Sequence, residues 1–278
     1  MLLAGAGEVA PLSLVVSLRI PDGVVIAADS LSTVQGTLMV QPQAEVVCPK
    51  CAERIQMKDL PPLQMPMPLS TSSFAQKLFP FRRRFGVAAY GISILLEKTV
   101  GYHIQTLEAK AKQSAADGVT DTAKLVLDRF DDLIHQQFKD IDGAPDGFYP
   151  LGFQVAGYDG QQGKTIEVHI GKKSHTVEQA ALGCTVGGDS TVVAKLWELG
   201  SGDPRQQPKF ASFSLQDAID YADFLINTTA KYQRFAMMIP SVGGDVDIAL
   251  VTLYHGFRWI RQKELARILV DKEEERNA

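Results

Sequence analysis

The sequence predicts an α+β protein in which two β-sheets stack face to face with helices outside them. The chain has 278 residues, of which 45% are hydrophobic and 22% charged, as is typical of one large globular domain. Strand-like and helix-like segments follow each other in groups: strands, two helices, strands, two helices, strands. Such groups favour layered packing over a regular βαβ repeat, and two stacked sheets with outer helices would bury every apolar face.

The N-terminal region predicts a β-hairpin followed by an irregular insertion. Residues 13–20 and 24–28 are rich in Val and Ile and flank the sequence PDG, which is typical of a tight turn. Residues 34–76 have few periodic positions, several prolines and an end rich in Met and Pro. We interpret this part, at about 34–74, as an inserted loop or small excursion.

The rest of the chain supplies the remaining groups of elements. Apolar residues at three- and four-residue spacings predict two helices within 92–140 and further helices at 191–200, 214–233 and 263–278. Segments rich in β-branched and aromatic residues predict strands at 77–81, 85–91, 152–159, 165–171, 246–254 and 256–262. A Gly-rich corner at 181–190 leads into the third helix.

Composition limits the classes of partner. The net charge is −4, so neither nucleic acid nor an anionic membrane is expected as a partner. Three cysteines do not make a disulfide framework and suggest reduced thiols. The first twelve residues lack the basic start of a signal peptide, and no apolar run approaches the roughly 18 residues that span a bilayer. We therefore expect a cytoplasmic protein.

Five segments, in chain order, resemble the landmarks of one known family. They are DGVVIAADSLST (22–33), KLFPFRRRFGVAAYG (77–91), VAGYD (155–159), the Gly-rich corner (181–190) and SVGGDVDIALVT (241–252). Together they resemble the proteasome β-type family of N-terminal-nucleophile hydrolases, which includes the bacterial single-subunit rings. The resemblance implies a four-layer αββα sandwich, formed by a single domain over 1–278 with an N-terminal extension or propeptide at 1–12.

The resemblance also implies a nucleophile. Counting back without gaps from Asp29, which matches the family's strand-end Asp, places Ser13 where the family has its N-terminal Thr. Removal of residues 1–12 would free an α-amine, whose pKa of about 7.7–8.0 lets it accept the hydroxyl proton. Lys77 matches the family's Lys, which is held by the Asp and lowers nearby pKa values.

Three further site positions follow from the same match. Gly91 corresponds to the glycine whose backbone N–H stabilises the oxyanion. Thr33 corresponds to the residue whose backbone pairs with the substrate strand, and Ala89 would lie in a roomy, apolar specificity pocket. Taken singly, residues of these types are more typical of ordinary strands and turns, so their joint placement carries the prediction.

The sequence departs from the family's pattern on both sides of the nucleophile. Leu12 precedes Ser13, where self-processing members usually carry Gly, and a bulky side chain there can obstruct the intramolecular attack that frees the amine. Gly188 stands where the family has a catalytic Ser, with Thr185 and Ser190 nearby.

A third departure lies in MMIPSVGG. Ile239 stands where the family has an Asp, and Val242 where it has a Ser. Ser241 is one residue away, so a shifted register would restore only that hydroxyl. The hydrogen-bond network expected around the amine is therefore thinner than in the family.

The insertion contains a pair of cysteines, Cys48 and Cys51, in the sequence CPKC. This spacing is typical of a zinc knuckle, in which two thiolates share a tetrahedral metal, so a structural zinc is one hypothesis. Further soft ligands in the chain are Cys184, His103, His135, His169, His175 and His255. A zinc half-site could be completed across a subunit interface. The alternatives to zinc are redox pairing of the two cysteines and a plain flexible loop. The resemblance itself requires no cofactor.

The function that the resemblance implies is peptide-bond hydrolysis by a threonine-type endopeptidase subunit with an N-terminal Ser. It implies a homo-oligomeric ring, a polypeptide substrate and an ATP-dependent unfoldase as a partner. Two alternatives stay open. The chain could be a non-catalytic structural subunit with an uncleaved N-terminus, like α-type relatives, or an amidase acting on a small molecule, because a fold does not settle the substrate.

Overall fold

The structure of the protein is a computed structural model that describes residues 13–40, 45–47, 50–51, 54–56, 63–111, 118–236 and 238–264. The strands are β1 (Leu14–Ile20), β2 (Gly23–Ala28), β3 (Ser32–Val40), β4 (Glu45–Val47), β5 (Arg54–Gln56), β6 (Leu63–Ser72), β7 (Leu78–Phe81), β8 (Phe85–Gly91), β9 (Ile94–Leu95), β10 (Lys98–Thr99), β11 (Leu151–Asp159), β12 (Gln162–Ile170), β13 (His175–Gln179), β14 (Gly183–Gly188), β15 (Asp247–Thr252) and β16 (Gly256–Arg261). The helices are α1 (Val100–Ala111), α2 (Val119–Gln137), α3 (Thr191–Gly200) and α4 (Leu215–Phe235), with single 3-10 turns at Ile141–Gly143 and Phe210–Ser212. The protein is therefore of the α+β class, as predicted.

The predicted N-terminal hairpin lies at the centre of a five-stranded sheet. Its strand order is β14–β1–β2–β15–β16, and neighbouring strands are antiparallel. The register places Leu14 opposite Gly188 and Val15 opposite Ala28. The start of β1 and the ends of β2 and β14 therefore lie together at one end of the strands, which we call the shared edge of the first sheet. Most of the Gly-rich corner is strand β14, because β1 offers it a pairing partner that the local sequence does not show.

The second five-stranded sheet has the order β13–β12–β11–β8–β7, again antiparallel. It contains the predicted strand pairs β7–β8 and β11–β12. Lys77 immediately precedes β7, and its carbonyl accepts a hydrogen bond from the Ala89 N–H at 2.8 Å. Lys77 therefore lies beside the C-terminal end of β8.

Both sheets are buried on two faces, because three apolar clusters fill the space around them. One cluster joins α1 and α2 to the second sheet and includes Phe79, Val87, Ile104, Phe130 and Phe153. Another joins α3 and α4 to the first sheet and includes Leu14, Val16, Val193, Leu225 and Ile226. A third contains residues of both sheets, among them Val15, Ile26, Leu78, Ala88 and Ala249. Successive residues of β1 thus enter different clusters, as the alternation of strand side chains requires.

The helices follow the sequence signals with one correction. Helix α4 begins with a capping box, in which Ser214 Oγ accepts from the Asp217 N–H and the Asp217 carboxylate accepts from the Ser214 N–H. The first helix begins at Val100, whereas its apolar spacing predicted a start near residue 94. Residues 94–99 instead form the hairpin β9–β10, whose turn residues Leu96 and Glu97 have φ of 45° and 64°.

Residues 263–264 are not helical, and the remainder of the helix predicted at 263–278 lies outside the described residues. Among the described helices, none is both long and apolar enough to cross a membrane.

Residues Thr33–Ser72 form a second compact unit, in the part that the sequence predicted to be irregular. Strand β3 pairs with β6, and β4 pairs antiparallel with β5. Strand β6 contains Pro66 and Pro68. A two-stranded sheet tolerates prolines because each of its strands is an edge strand. The prolines had argued against strands in this part of the sequence, so the prediction of an irregular segment was wrong.

Candidate active site

Ser13 lies at the shared edge of the first sheet, directly before β1. It is only 3% exposed. Its N–H donates to the Ser241 carbonyl at 2.9 Å, and its carbonyl accepts from the Asp189 N–H at 2.8 Å. Its φ is +86°, in the left-handed region that a residue with a side chain rarely adopts. Tertiary hydrogen bonds therefore hold Ser13 in a strained backbone conformation.

Asp29, at the end of β2, binds the segment that begins at Ser13. Its Oδ1 accepts hydrogen bonds from the Leu14 N–H at 2.9 Å and from the Lys77 ammonium at 2.8 Å. Its Oδ2 accepts from the N–H groups of Leu31 and Gly243 at 3.1 and 3.0 Å. The carboxylate is fully buried, and these four donors compensate for the water it has lost. One oxygen thus links Lys77 to the backbone beside Ser13.

Lys77 is a buried cation. Its ammonium donates to Asp29 and to the Leu31 carbonyl, and the residue is 6% exposed. Burial lowers the pKa of Lys77, Asp29 opposes that shift, and the charge of Lys263 adds to it. The ammonium therefore loses its charge at a lower pH than an exposed lysine would.

The end of β8 also reaches this edge. Gly91 has φ of +99°, and a Cβ at this position would overlap the Pro150 carbonyl, so only glycine fits. Tyr90, one residue earlier, packs against Gly188, which itself lies against the Ser13 carbonyl. The structure therefore brings the region of Gly91 towards Ser13 from the second sheet.

The two predicted substrate-binding residues, Ala89 and Thr33, stay predictions, and the structure places them as follows. The Ala89 side chain belongs to the apolar cluster that α1 and α2 form with the second sheet. Thr33 is in β3 and is the first residue of the second compact unit.

A second polar cluster holds the opposite side of Ser13, and sequence reasoning missed two of its three members. It consists of Asp189 at the end of β14, Gln233 near the end of α4, and Ser241 in the loop before β15. Ser241 Oγ donates to Asp189 Oδ2 at 2.7 Å, and Gln233 Nε2 donates to the same oxygen at 2.8 Å. Gln233 Oε1 accepts from the N–H groups of Ser241 and Val242 at 2.9 and 3.0 Å. All three side chains are buried, and Ser241 supplies the carbonyl that binds the Ser13 N–H.

The departure at Gly188 has a steric cause. Gly188 has φ of +87°, and a Cβ there would overlap the Ser13 carbonyl oxygen. Neither hydroxyl that the sequence places nearby joins the cluster: Thr185 accepts from Arg19, and Ser190 is exposed at the start of α3. A serine at 188, as in the family pattern, does not fit this backbone.

At Ile239 and Val242, two further positions that depart from the family's pattern, the structure has apolar side chains. Ile239 is half-buried, and Val242 belongs to the apolar cluster around α4. The carboxylate on this side of Ser13 comes from Asp189 instead. A sequence signal existed for Gln233, because this polar residue falls on the apolar stripe of α4 at the spacing of Ala222, Ile226 and Thr229.

The structure describes only one of the two CPKC cysteines. Cys51 is exposed, and Cys48 lies outside the described residues. Within the described part of the chain, no three potential ligands from His, Cys, Asp and Glu cluster to hold a metal. A structural zinc at Cys48 and Cys51 stays a prediction. Metal analysis of the purified protein tests it, and less than about half an equivalent per chain would remove it.

The arrangement around Ser13 contains groups of the kinds that acyl transfer uses. A hydroxyl residue lies next to a buried carboxylate–ammonium pair, and hydrogen bonds fix its backbone on both sides. No protein-family model matches the chain, and a search of curated proteins finds no match either. The geometry around Ser13 is therefore what bears on function.

Proposed function

We propose that this protein is an N-terminal-nucleophile hydrolase that cleaves peptide bonds, with Ser13 as its nucleophile. One observation carries the proposal: Asp29 Oδ1 accepts hydrogen bonds from both the Leu14 N–H and the Lys77 ammonium. This oxygen holds a buried cation beside the backbone of the serine. Asp29 and Lys77 are also the two residues that match the family's Asp and Lys.

The architecture supports the same proposal. The three apolar clusters lie between α1–α2 and the second sheet, between the two sheets, and between the first sheet and α3–α4. This order is the one expected of the four-layer αββα sandwich of N-terminal-nucleophile hydrolases. We further propose, on the resemblance alone, a cytoplasmic homo-oligomeric ring that restricts entry to unfolded polypeptides, which an ATP-dependent unfoldase would deliver.

The first step would be cleavage of the chain before Ser13. Ser13 Oγ attacks the carbonyl carbon of Leu12, the Leu12–Ser13 C–N bond breaks, and the serine nitrogen takes up the hydroxyl proton. Water then hydrolyses the resulting ester, which leaves a Leu12 carboxylate, a restored Ser13 hydroxyl and a free α-amine. The strained φ of Ser13 favours this step, because cutting the bond removes the constraint.

Turnover would use the amine that the first step releases. The Ser13 nitrogen already lies 2.9 Å from the Ser241 carbonyl, which would hold the free amine in place. The amine accepts the Oγ proton as Oγ attacks the substrate carbonyl, and the Gly91 N–H stabilises the oxyanion. The proton then passes to the leaving amine, and water hydrolyses the acyl ester. The Lys77 charge lowers the pKa of the nearby amine and hydroxyl, so turnover should fall at high pH as Lys77 becomes neutral.

Intact-mass measurement combined with Ser13 variants tests the proposal. The wild-type protein and Ser13→Thr should lose residues 1–12 and hydrolyse peptides, because both keep a hydroxyl nucleophile. Ser13→Ala should stay at full length and be inactive, whereas the control Ser190→Ala, at an exposed hydroxyl, should behave as wild type.

Each alternative function gives its own result in this experiment. A full-length mass together with peptide turnover unchanged by Ser13→Ala would refute the catalytic assignment. A full-length, oligomeric and inactive protein would indicate a structural subunit. A processed protein that cleaves small amides but not peptides would indicate an amidase.

A further inference from the structure

A second buried aspartate–lysine pair lies beside the Ser13 centre, and the chemistry above does not use it. Lys263 follows β16, and Asp247 is the first residue of β15. The Lys263 ammonium donates to Asp247 Oδ2, and the Lys263 N–H donates to Asp247 Oδ1 at 2.8 Å. The two side chains are 2% and 1% exposed. Desolvation offsets much of the attraction within such a pair, so stability alone is a weak reason for its presence.

The pair is joined to the segment that holds Lys77. The Lys263 ammonium also donates to Ser30 Oγ at 2.9 Å. Ser30 directly follows Asp29, its N–H donates to the Gly243 carbonyl at 2.9 Å, and its own carbonyl accepts from the Ala75 N–H at 3.0 Å. The Lys263 side chain therefore binds the same turn as Lys77, through Ser30.

We propose that Lys263 is a positioning residue of the Ser13 centre: it holds the Asp29–Leu31 turn and sets the charge environment of Lys77. Lys77 contacts this turn through Asp29 and the Leu31 carbonyl, and Lys263 contacts it through Ser30. Two ammonium groups thus bind three consecutive residues. The catalytic meaning of this inference rests on the proposed function.

The charges around the turn determine the sign of the effect. Among the described residues, the charged groups that act on Lys77 are Asp29 at the end of β2 and Lys263 after β16. Lys263 in turn faces Asp247 at the start of β15. Because like charges repel, the ammonium of Lys263 favours the neutral form of Lys77, in the same direction as burial, while Asp29 favours the charged form.

Two single variants should therefore move Lys77 in opposite directions. Lys263→Met removes a cation and leaves the Asp247 anion, so the pKa of Lys77 should rise. Asp247→Asn leaves the Lys263 cation uncompensated, so the pKa of Lys77 should fall. We expect shifts of about one pH unit each, measured as the titration midpoint of Lys77 by NMR of protein labelled at the lysine ε-carbon. Lys263→Arg keeps the charge and should keep the midpoint, as should the control Lys195→Met at an exposed lysine on α3.

A purely structural role gives a different pattern. It would lower the melting temperature of Lys263→Met and Asp247→Asn without moving the Lys77 midpoint in opposite directions. If a single variant does not fold, the double variant Asp247→Asn/Lys263→Met leaves no unpaired ion in the core. Its midpoint should lie above that of the wild type, because the lost ammonium is the group that contacts the turn, and an unchanged midpoint would overturn the inference.

The pH dependence of Ser13 labelling by a fluorophosphonate separates this inference from the proposed function. Its alkaline limb should move up in Lys263→Met and down in Asp247→Asn, by the same amounts as the midpoints. A wild-type protein that is neither processed nor labelled would refute the proposed function, while the NMR midpoints would still report the effect of Lys263 on Lys77. A labelled wild type with unchanged midpoints and limbs in both variants would refute the role of Lys263 and leave the proposed function standing.

Discussion

Two polar clusters hold Ser13 from opposite sides, and they differ in kind. On one side, Asp29 forms an ion pair with Lys77 and binds the Leu14 N–H. On the other side, a hydroxyl, an amide and the Thr191 N–H satisfy the Asp189 carboxylate, and the cluster binds Ser13 through the Ser241 carbonyl and the Asp189 N–H. We therefore infer that the first cluster sets charge at the nucleophile and that the second mainly sets its position.

The comparison predicts that the ionic cluster is the more sensitive to loss of one charge. Asp29→Asn leaves the Lys77 ammonium buried without its counter-ion, which should lower the free energy of unfolding by about 3–5 kcal/mol. Asp189→Asn keeps neutral donors around the side chain, and the loss should be about 1–3 kcal/mol. Urea denaturation of both variants measures the difference.

Reactivity should separate the same two variants. Asp29→Asn should reduce fluorophosphonate labelling of Ser13 by about two orders of magnitude, because it removes preorganised charge at the centre. Asp189→Asn should have a smaller effect. Equal losses in stability and in labelling would show that the distinction between a charge-setting and a position-setting cluster is false.

The two clusters also differ in how well the sequence predicted them. Asp29 lies 16 residues after Ser13 within one hairpin, and Lys77 directly precedes a recognisable strand, so local patterns located both. The second cluster joins the end of β14, the end of α4 and a loop, which meet only in the folded chain. Gln233 appears in the sequence as one polar residue of an amphipathic helix, and its role depends on contacts with Ser241 that no local pattern contains.

Two further differences in secondary structure have separate causes. The apolar spacing of residues 94–113 suits a helix, but the turn at Leu96 and Glu97 starts a hairpin. The sequence of β14 was interpreted as a corner because it is rich in glycine, but it pairs with β1 as a strand. The β14 difference therefore has the same origin as the missed cluster, because a distant partner determines its structure, whereas the hairpin at 94–99 is set by its own turn.

Gly188 lies against the Ser13 carbonyl, and a substitution there tests whether the serine of the family pattern can be restored. Gly188→Ser should destabilise the protein, because a side chain at positive φ costs about 1–3 kcal/mol and its Cβ would also overlap the Ser13 carbonyl. The variant should therefore lose labelling at Ser13, although it supplies the serine of the family pattern. Urea denaturation and labelling measure both effects.

Gly202→Ser is the matched control for this substitution. No atom of the described chain lies within 4 Å of a Cβ built at Gly202, and its φ is not positive, so its stability should change little. Gain of activity in Gly188→Ser without loss of stability would mean that the backbone at 188 can adopt the conformation of the family.

Ser241→Ala should have the smallest effect, and it separates the hydroxyl of the second cluster from its carbonyl. The variant loses the Oγ bond to Asp189 but keeps the backbone carbonyl that binds the Ser13 N–H. We expect a loss of about 1 kcal/mol in the free energy of unfolding, and labelling of Ser13 within a few-fold of wild type. Ser212→Ala, which removes an exposed hydroxyl bonded to the Lys209 carbonyl, is the control and should change neither quantity. A large loss of labelling in Ser241→Ala at wild-type stability would instead assign the hydroxyl a direct part in the reaction. The variant keeps the backbone carbonyl that positions Ser13, so a loss of position could not explain that result.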